Sequence, residues 1–343
     1  MSFERSVFED GTMVQFLSDN WNISCSSYEK LSLGTANCFR IECVHDAFFL
    51  KEYQSEITES QIIKEANISE CLQTKNIPSA RFVRTVSNAG FAKYKGHYIV
   101  LEKYIVGKTC GYYDFPPSML PEMAAMLAEI HIVLEDMQLP VSLGEDWVKG
   151  DALPKYDRLL GLLEEHREDA FYEKIKADLI YKRSILSEKQ ENFRKAFTGI
   201  TYRNSHGDYQ GCQIICGENC INAVIDFTEA ARLPAVWEIM RSFIQTSRKT
   251  RNEGEIDIHG LCQYVKKYCE YAPLNENDIS SMPYVYVYQL LRSTYGYEEY
   301  LLTDSEDRAG LIAFAFWRTE MCKAVLEHSK QIVMKLLGHI KIS

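Results

Sequence analysis

The sequence predicts an α+β chain in two parts: a small five-stranded antiparallel sheet with one helix, then a large, mainly helical part. Three observations carry this. The 343 residues are more than one compact core usually absorbs. Short runs rich in aromatic and β-branched residues fill the chain up to about residue 105. Beyond that point apolar residues recur at helical spacing, interrupted by one short β island. The expected division is therefore 1–104 and 105–343.

Within the first part, Tyr28–Leu33, Cys38–Cys43, Ala47–Tyr53, Arg81–Val86 and Tyr98–Tyr104 read as strands, with Asn88-Ala-Gly90 and Lys95-Gly96 as turns. A helix from about Glu56 to Lys75 lies between the third and fourth. Its apolar stripe is Ile62, Ala66, Ile68, Ser69 and Leu72, and Pro78 stands just past its end. In the second part Pro121 starts a helix through Met123, Met126, Leu127, Ile130 and His131 to Leu134. Further helices are expected at about 155–165, 170–197, 236–247, 257–271, 284–302 and 307–338. The β island is Gln213–Cys216 and Ile221–Phe227, turning at Gly217-Glu-Asn219.

Composition narrows the function classes. Hydrophobic residues make up 46% and charged residues 25%, an ordinary globular mixture. A net charge of −10 disfavours binding to duplex nucleic acid but leaves room for a local cation cluster that holds a nucleotide. An acidic C-terminal lobe would also attract cationic substrates such as amines or amino sugars. Met1 to Gly11 has no apolar core, so it does not read as a secretory signal. The longest apolar run, Leu311–Trp317, is too short to cross a bilayer. Eleven cysteines without a CxxC pair point to reduced thiols and a cytoplasmic location. Cys212, Cys216 and Cys220, at spacings of four, read as packing residues in preference to a zinc site.

The chemistry concentrates in His206-Gly-Asp208, then Gln213, then Ile225-Asp226-Phe227. Phosphoryl transfer needs a hydroxyl positioned and relieved of its proton, and metal ions that neutralise phosphate oxygens. A carboxylate in a loop and another just past a short hairpin suit those two tasks. Asp208 reads as the base or hydroxyl-orienting group and Asp226 as the main metal ligand, since Mg2+ takes hard oxygen donors and often only one or two carboxylates. Lys51 sits late in the third strand, in Phe48-Phe-Leu-Lys-Glu52, opposite to Leu50 on an otherwise apolar strand, and needs a buried partner or a ligand.

The order HGDYQGCQII…AVIDF resembles the catalytic loop, hairpin and IDF segment of the aminoglycoside phosphotransferase and choline kinase group, and the likeness runs in order over nearly the whole chain. The resemblance implies a protein-kinase-like two-lobe fold, ATP and Mg2+ as cofactors, and a small-molecule hydroxyl acceptor as partner, with no nucleic acid and no membrane. It puts Asp208 at the catalytic aspartate, Asp226 at the magnesium-binding aspartate, and Glu238 where an aspartate usually braces the catalytic loop. Gln213 stands where a metal-binding Asn is usual, which implies either a reshaped second metal position or weaker chemistry. Lys51 falls at the lysine that holds the α- and β-phosphates, and Glu65 at its helix partner, with Glu59 and Glu70 as rivals. Gly34 and Asn37 match the looser form of the loop over the phosphates. Backbone groups near Glu102 and Tyr104 fall at the hinge that takes the adenine edge.

Two functions outside the leading one stay in view. A protein kinase is disfavoured, because Asp226 and the Pro234–Glu238 segment lie too close for a long activation segment. A catalytically weak kinase-like binding or structural protein, like some spore-coat relatives of the group, draws its support from Gln213. His131 reads as a satisfied core histidine before a ligand. The tyrosine-rich stretch Tyr284–Tyr300 serves either an acceptor pocket or helix packing. The acceptor, the choice of ATP or GTP and the oligomeric state carry no portable motif.

Overall fold

The computed structural model describes residues 4–9, 11–31, 36–111, 113–140, 148–303 and 307–340. Contacts divide the chain into two compact units. The smaller comprises Phe3–Thr109 with Gln213–Ala230, and the larger mainly Cys110–Cys212 with Ala231–Ser343.

The smaller unit is built on an antiparallel sheet of β1 (Ser27–Leu31), β2 (Asn37–Glu42), β3 (Ala47–Glu52), β4 (Ala92–Tyr94) and β5 (His97–Lys103). Its order is β1-β2-β3-β5-β4. Strand alternation sends Phe39, Ile41, Phe48, Leu50, Ile99 and Leu101 to one face. There they pack against Met13, Phe16, Leu17 and Trp21 of α1, Thr12–Trp21. The sequence reading passed over this helix, although its apolar residues recur at helical spacing. The opposite face carries Lys51, Val100 and Glu102, since Lys51 pairs with Val100 and Phe49 with Glu102. Ile62 of α2 (Glu59–Thr74) packs there with Tyr53 and Val100. The helix is started by the Gln61 side chain, which accepts the Thr58 N–H at 2.9 Å.

Arg81–Val86, expected as the fourth strand, is not a regular strand. Val83 N–H donates to Leu101 O at 2.7 Å and Lys103 N–H to Arg81 O at 2.9 Å, so the segment only brushes the last residues of β5. The tight Tyr94–His97 hairpin gives the first half of the same strand edge to β4. Its turn residues Lys95 and Gly96 both have positive φ, 45° and 91°.

A second small sheet explains why the unit reclaims residues from the later half of the chain. β6 (Lys108–Thr109), β8 (Ile214–Cys216) and β9 (Ile221–Val224) lie in the order β6-β8-β9. The expectation set the boundary at 104/105 and left the hairpin with the helical part. Strand pairing takes it the other way: Lys108 pairs with Cys216, and Val224 N–H donates to Pro78 O at 3.0 Å. Gly107, at φ 153°, makes the close approach possible, because a Cβ there would meet Cys216 O at 2.7 Å.

In the larger unit, β7 (Tyr202–Ser205) pairs with β10 (Ala231–Pro234). Around them stand α3 (Leu120–Val133), α4 (Leu153–Leu163), α5 (Tyr172–Lys195), α6 (Ala235–Thr246), α7 (Arg248–Glu253), α8 (Ile258–Cys269), α9 (Glu276–Arg292), α10 (Tyr297–Leu302) and α11 (Arg308–His339). The helix expected over 284–302 is two helices, α9 and α10, broken at Ser293–Gly296. Gly296 sits at φ 92° with Leu311 O and the Ala315 side chain closing off any Cβ, so the chain turns there. Tyr286, Tyr288 and Tyr297 of the tyrosine-rich stretch are fully buried, so most of it is packing.

Candidate active site

Each unit holds one cluster of chemically active side chains. In the smaller unit the buried Lys51 lies 3.0 Å from Asp226 Oδ1 and 3.6 Å from Glu65 Oε1. Of the three candidate glutamates, Glu65 is the one beside Lys51. Glu70 pairs with Arg84, and Glu59 accepts from the Tyr98 hydroxyl. Glu65 also accepts the Phe227 N–H at 3.2 Å and the Tyr53 hydroxyl at 2.5 Å, which ties α2 to the residue after Asp226. Burial by itself pulls the Lys51 ammonium down. The charge of Glu65, then those of Tyr53 and Asp226, reverse that and hold it well above the ordinary amine range.

Asp226 adopts φ 65°, a left-handed conformation that Asp tolerates better than most residues. The loop behind it is clamped by Lys64, whose ammonium donates to Thr228 O at 2.6 Å and Ala230 O at 2.9 Å. The Thr228 hydroxyl donates to Asp226 Oδ1 at 2.8 Å. Gln213 is tied to the same hairpin, its carbonyl accepting the Ile225 N–H at 3.0 Å. The partly exposed Asp226 carboxylate is a hard oxygen donor of the kind that fits Mg2+, with phosphate oxygens and water completing the shell, and Gln213 lies at the start of the same hairpin. Among the described residues there is no cluster of three or more His, Cys, Asp or Glu able to hold a metal. All eleven cysteines are free thiols.

The buried Asn37 donates through its side-chain amide to Glu4 O and Glu52 Oε1, at 3.1 and 3.2 Å, so that amide braces the start of β2. Gly34 lies outside the described residues. At the expected hinge Tyr104 N–H donates to Ala47 O at 3.1 Å, while Arg40 stacks 4.5 Å from the Tyr104 ring centre. The Glu102 side chain is buried on the Lys51 face. Burial first, and then the Glu65 charge, push its carboxyl up to about 8.

The sign of that shift makes a prediction. A carboxyl whose folded pKa exceeds its ordinary value of 4.5 favours the fold fully below pH 4.5, and that contribution is lost as pH rises through 8. Between pH 7 and 9 the native chain should lose on the order of 1 kcal/mol more stability than Glu102→Gln. Urea unfolding of both proteins at the two pH values measures the difference, and parallel curves would remove the assignment.

In the larger unit Asp208 follows β7 in a loop held by a fully buried carboxylate, Glu238 of α6. Glu238 accepts the His206 N–H at 3.1 Å, the Gly207 N–H at 2.5 Å and a bond from His131 Nε2 at 2.9 Å. His131 Nδ1 lies 2.7 Å from the Tyr268 hydroxyl, so both ring nitrogens of this core histidine are used. Burial would raise the Glu238 carboxyl, but the His131 hydrogen bond and charge, with His206 and the Gly207 N–H, hold it below the usual carboxylate range. Gly207, at φ 86°, gives the loop its bend.

The Asp208 side chain is itself partly exposed. Gln210 Nε2 lies 3.2 Å from both of its oxygens, and the Arg241 guanidinium pairs with Oδ1. The sequence reading missed Arg241. It follows Glu238 by three residues on one helix, a spacing that puts both on one face and could have revealed it.

No protein-family model matches the chain, and no curated protein matches it in sequence. Solved structures do match. A spectinomycin phosphotransferase in complex with ADP and spectinomycin is 14% identical, with a TM-score of 0.64 over 94% of this chain and 100% of that one. A microcompartment-associated aminopropanol kinase is 14% identical, with a TM-score of 0.65 over 95% of this chain and 100% of that one. A Plasmodium vivax ethanolamine kinase is 17% identical, with a TM-score of 0.54 over 89% of this chain and 81% of that one. At such identities the likeness establishes the fold: the chain has the two-part fold of the aminoglycoside phosphotransferases and amino-alcohol kinases.

Proposed function

We propose that the chain is a small-molecule kinase, moving the γ-phosphoryl group of ATP to a hydroxyl of a small molecule. The observation that carries this reading is the Glu65–Lys51–Asp226 chain of charges, buried at Glu65 and Lys51 and partly exposed at Asp226, in a unit of this fold. It presents a cation to phosphate oxygens and a carboxylate to a metal. Lys51 would hold the α- and β-phosphates, and backbone groups near Glu102 and Tyr104 would take the adenine edge. Asp226 and Gln213 would hold Mg2+, which when bound neutralises charge on the transferring phosphoryl group. The neighbours crystallised with ADP or AMP-PNP support the nucleotide assignment.

Asp208 orients the acceptor hydroxyl and takes its proton as the new oxygen–phosphorus bond forms. The bond from the γ-phosphorus to its bridging oxygen breaks, and ADP leaves with that electron pair. Catalysis comes from positioning and electrostatics, with no covalent enzyme intermediate. The reading includes a cytoplasmic location, and no helix among the described residues is long and apolar enough to cross a membrane. A coupled ADP-release screen of the purified protein over aminoglycosides, amino alcohols, sugars and hydroxy acids tests it. Nucleotide-dependent turnover raised by one class is expected, and its absence throughout overturns the reading.

Lys51→Ala should raise the KM for ATP by about 10- to 100-fold, the worth of one charged hydrogen-bonding group. An unchanged KM and turnover would count against the lysine. A second reading, a kinase-like binding protein of weak catalysis, is favoured by the Arg241–Asp208 ion pair, which engages the carboxylate a base would need free. Nucleotide binding without turnover, restored by Arg241→Gln, would decide for it.

A further inference from the structure

Around Asp208 the larger unit gathers cations, against the chain's acidic balance. Arg318 of α11 is 7% exposed. Its Nη1 donates to Ser293 Oγ at 2.9 Å, and among the described residues its Nε has no hydrogen-bond partner and no carboxylate pairs with it. Its guanidinium stands 5.7 Å from the Phe314 ring centre. The guanidinium of Arg251, 6% exposed, stands 5.6 Å from the same ring and 4.0 Å from that of Trp317. The fully buried Tyr286 hydroxyl also lacks a hydrogen-bond partner among the described residues, and it feels the charges of Arg318, Arg241 and Arg251. Burial, and beside it the charge of Arg241, hold the Arg318 guanidinium below its ordinary range. The cluster reaches solvent through Tyr295, 48% exposed, whose ring meets Phe314 edge-on at 6.2 Å and whose hydroxyl feels both Arg318 and Asp208. Two other carboxylates that Tyr295 feels, Glu299 and Asp307, accept the N–H groups of Gly296 and Gly310 at helix starts.

A buried guanidinium with an unmet donor destabilises a fold, and it persists where a ligand needs the charge. We propose that Arg318, with Arg251 and Arg241, receives a carboxylate or phosphate group of the acceptor, which is therefore an anionic alcohol. A hydroxy acid or a phosphorylated polyol fits, in place of the amine or amino sugar that the net charge suggests. The inference rests on the phosphotransferase reading of Asp208. Guanidinium groups suit the task because their planar forks match both anions with two parallel hydrogen bonds. An anion drawn to Arg241 also competes with Asp208 for it, which frees the carboxylate for the acceptor hydroxyl.

Four probes of similar size test this with the intact protein: glycerol, ethanolamine, glycerate and glycerol 3-phosphate. Calorimetry reads binding, and ADP release in the presence of Mg·ATP reads turnover. One of the two anions should bind at least about tenfold tighter than glycerol and ethanolamine. Whichever anion is preferred separates carboxylate from phosphate. Arg318→Met should weaken that anion by about tenfold or more with an equal or higher melting temperature, because it removes an unpaired buried charge. Arg318→Lys, which keeps the charge without the fork, should bind with intermediate affinity. Equal anion affinity in Arg318→Met, or turnover confined to ethanolamine, overturns the anionic class and leaves the kinase reading standing. Anion binding that needs Arg318, with no nucleotide turnover by any probe, keeps the anion site and overturns the kinase reading.

Discussion

Asp208→Asn is expected to lower phosphoryl transfer by about 1,000-fold while the affinity for ATP changes by less than about threefold. The substitution keeps the shape of the side chain and one acceptor oxygen for Gln210, but removes the site for the hydroxyl proton and the charge that orients the donor. The nucleotide-holding groups assigned here, Lys51, Glu65 and Asp226, belong to the other unit, which is why binding should survive. The partly exposed pair with Arg241 is also lost, at about 1 kcal/mol in stability, and a melting curve separates that effect from the chemistry. Single-turnover rates and ATP titrations measure the two quantities. Transfer at the native rate would show that Asp208 is not the base.

The second large effect belongs to Glu238, which touches no substrate in this reading. Glu238→Ala should destabilise the chain by about 3–5 kcal/mol, because two backbone N–H groups and the His131 ring lose their acceptor inside the core. Glu238→Gln tests the cause with little change in volume, since it turns one acceptor into a donor facing an N–H group. Its pH dependence carries the sign. A carboxyl held below its ordinary 4.5 contributes stability above that pH and loses it as pH falls through the depressed value. Denaturation midpoints should therefore fall more steeply on the acid side for the native chain than for Glu238→Gln. Identical acid limbs would mean that the loop is held by something else.

Much of this was legible in the residues. The HGD and IDF segments stood out because two loop carboxylates at a hairpin's spacing suit hydroxyl positioning and metal binding, and Lys51 on an apolar strand demanded a partner, which Glu65 and Asp226 supply. Glu65 could not be separated from Glu59 and Glu70 by sequence, since all three stand on one helix, and only its rotation puts one carboxylate under Lys51. Arg241 and Arg318 escaped notice because a lone arginine in a helical segment reads as a solvated charge. Arg81–Val86 has the composition of a strand, yet β4 had already taken half of the edge it needed.

The sequence by itself determined the two-part α+β division, most helices of the larger part and the order of the carboxylates, because these follow from periodicity and from side-chain chemistry along a short stretch of chain. Tertiary structure alone decided that the Gln213–Ala230 hairpin joins the smaller unit, which glutamate meets the lysine, and that buried arginines gather near Asp208. Those outcomes depend on contacts between residues far apart in the chain, where burial turns an ordinary surface charge into a specific electrostatic partner.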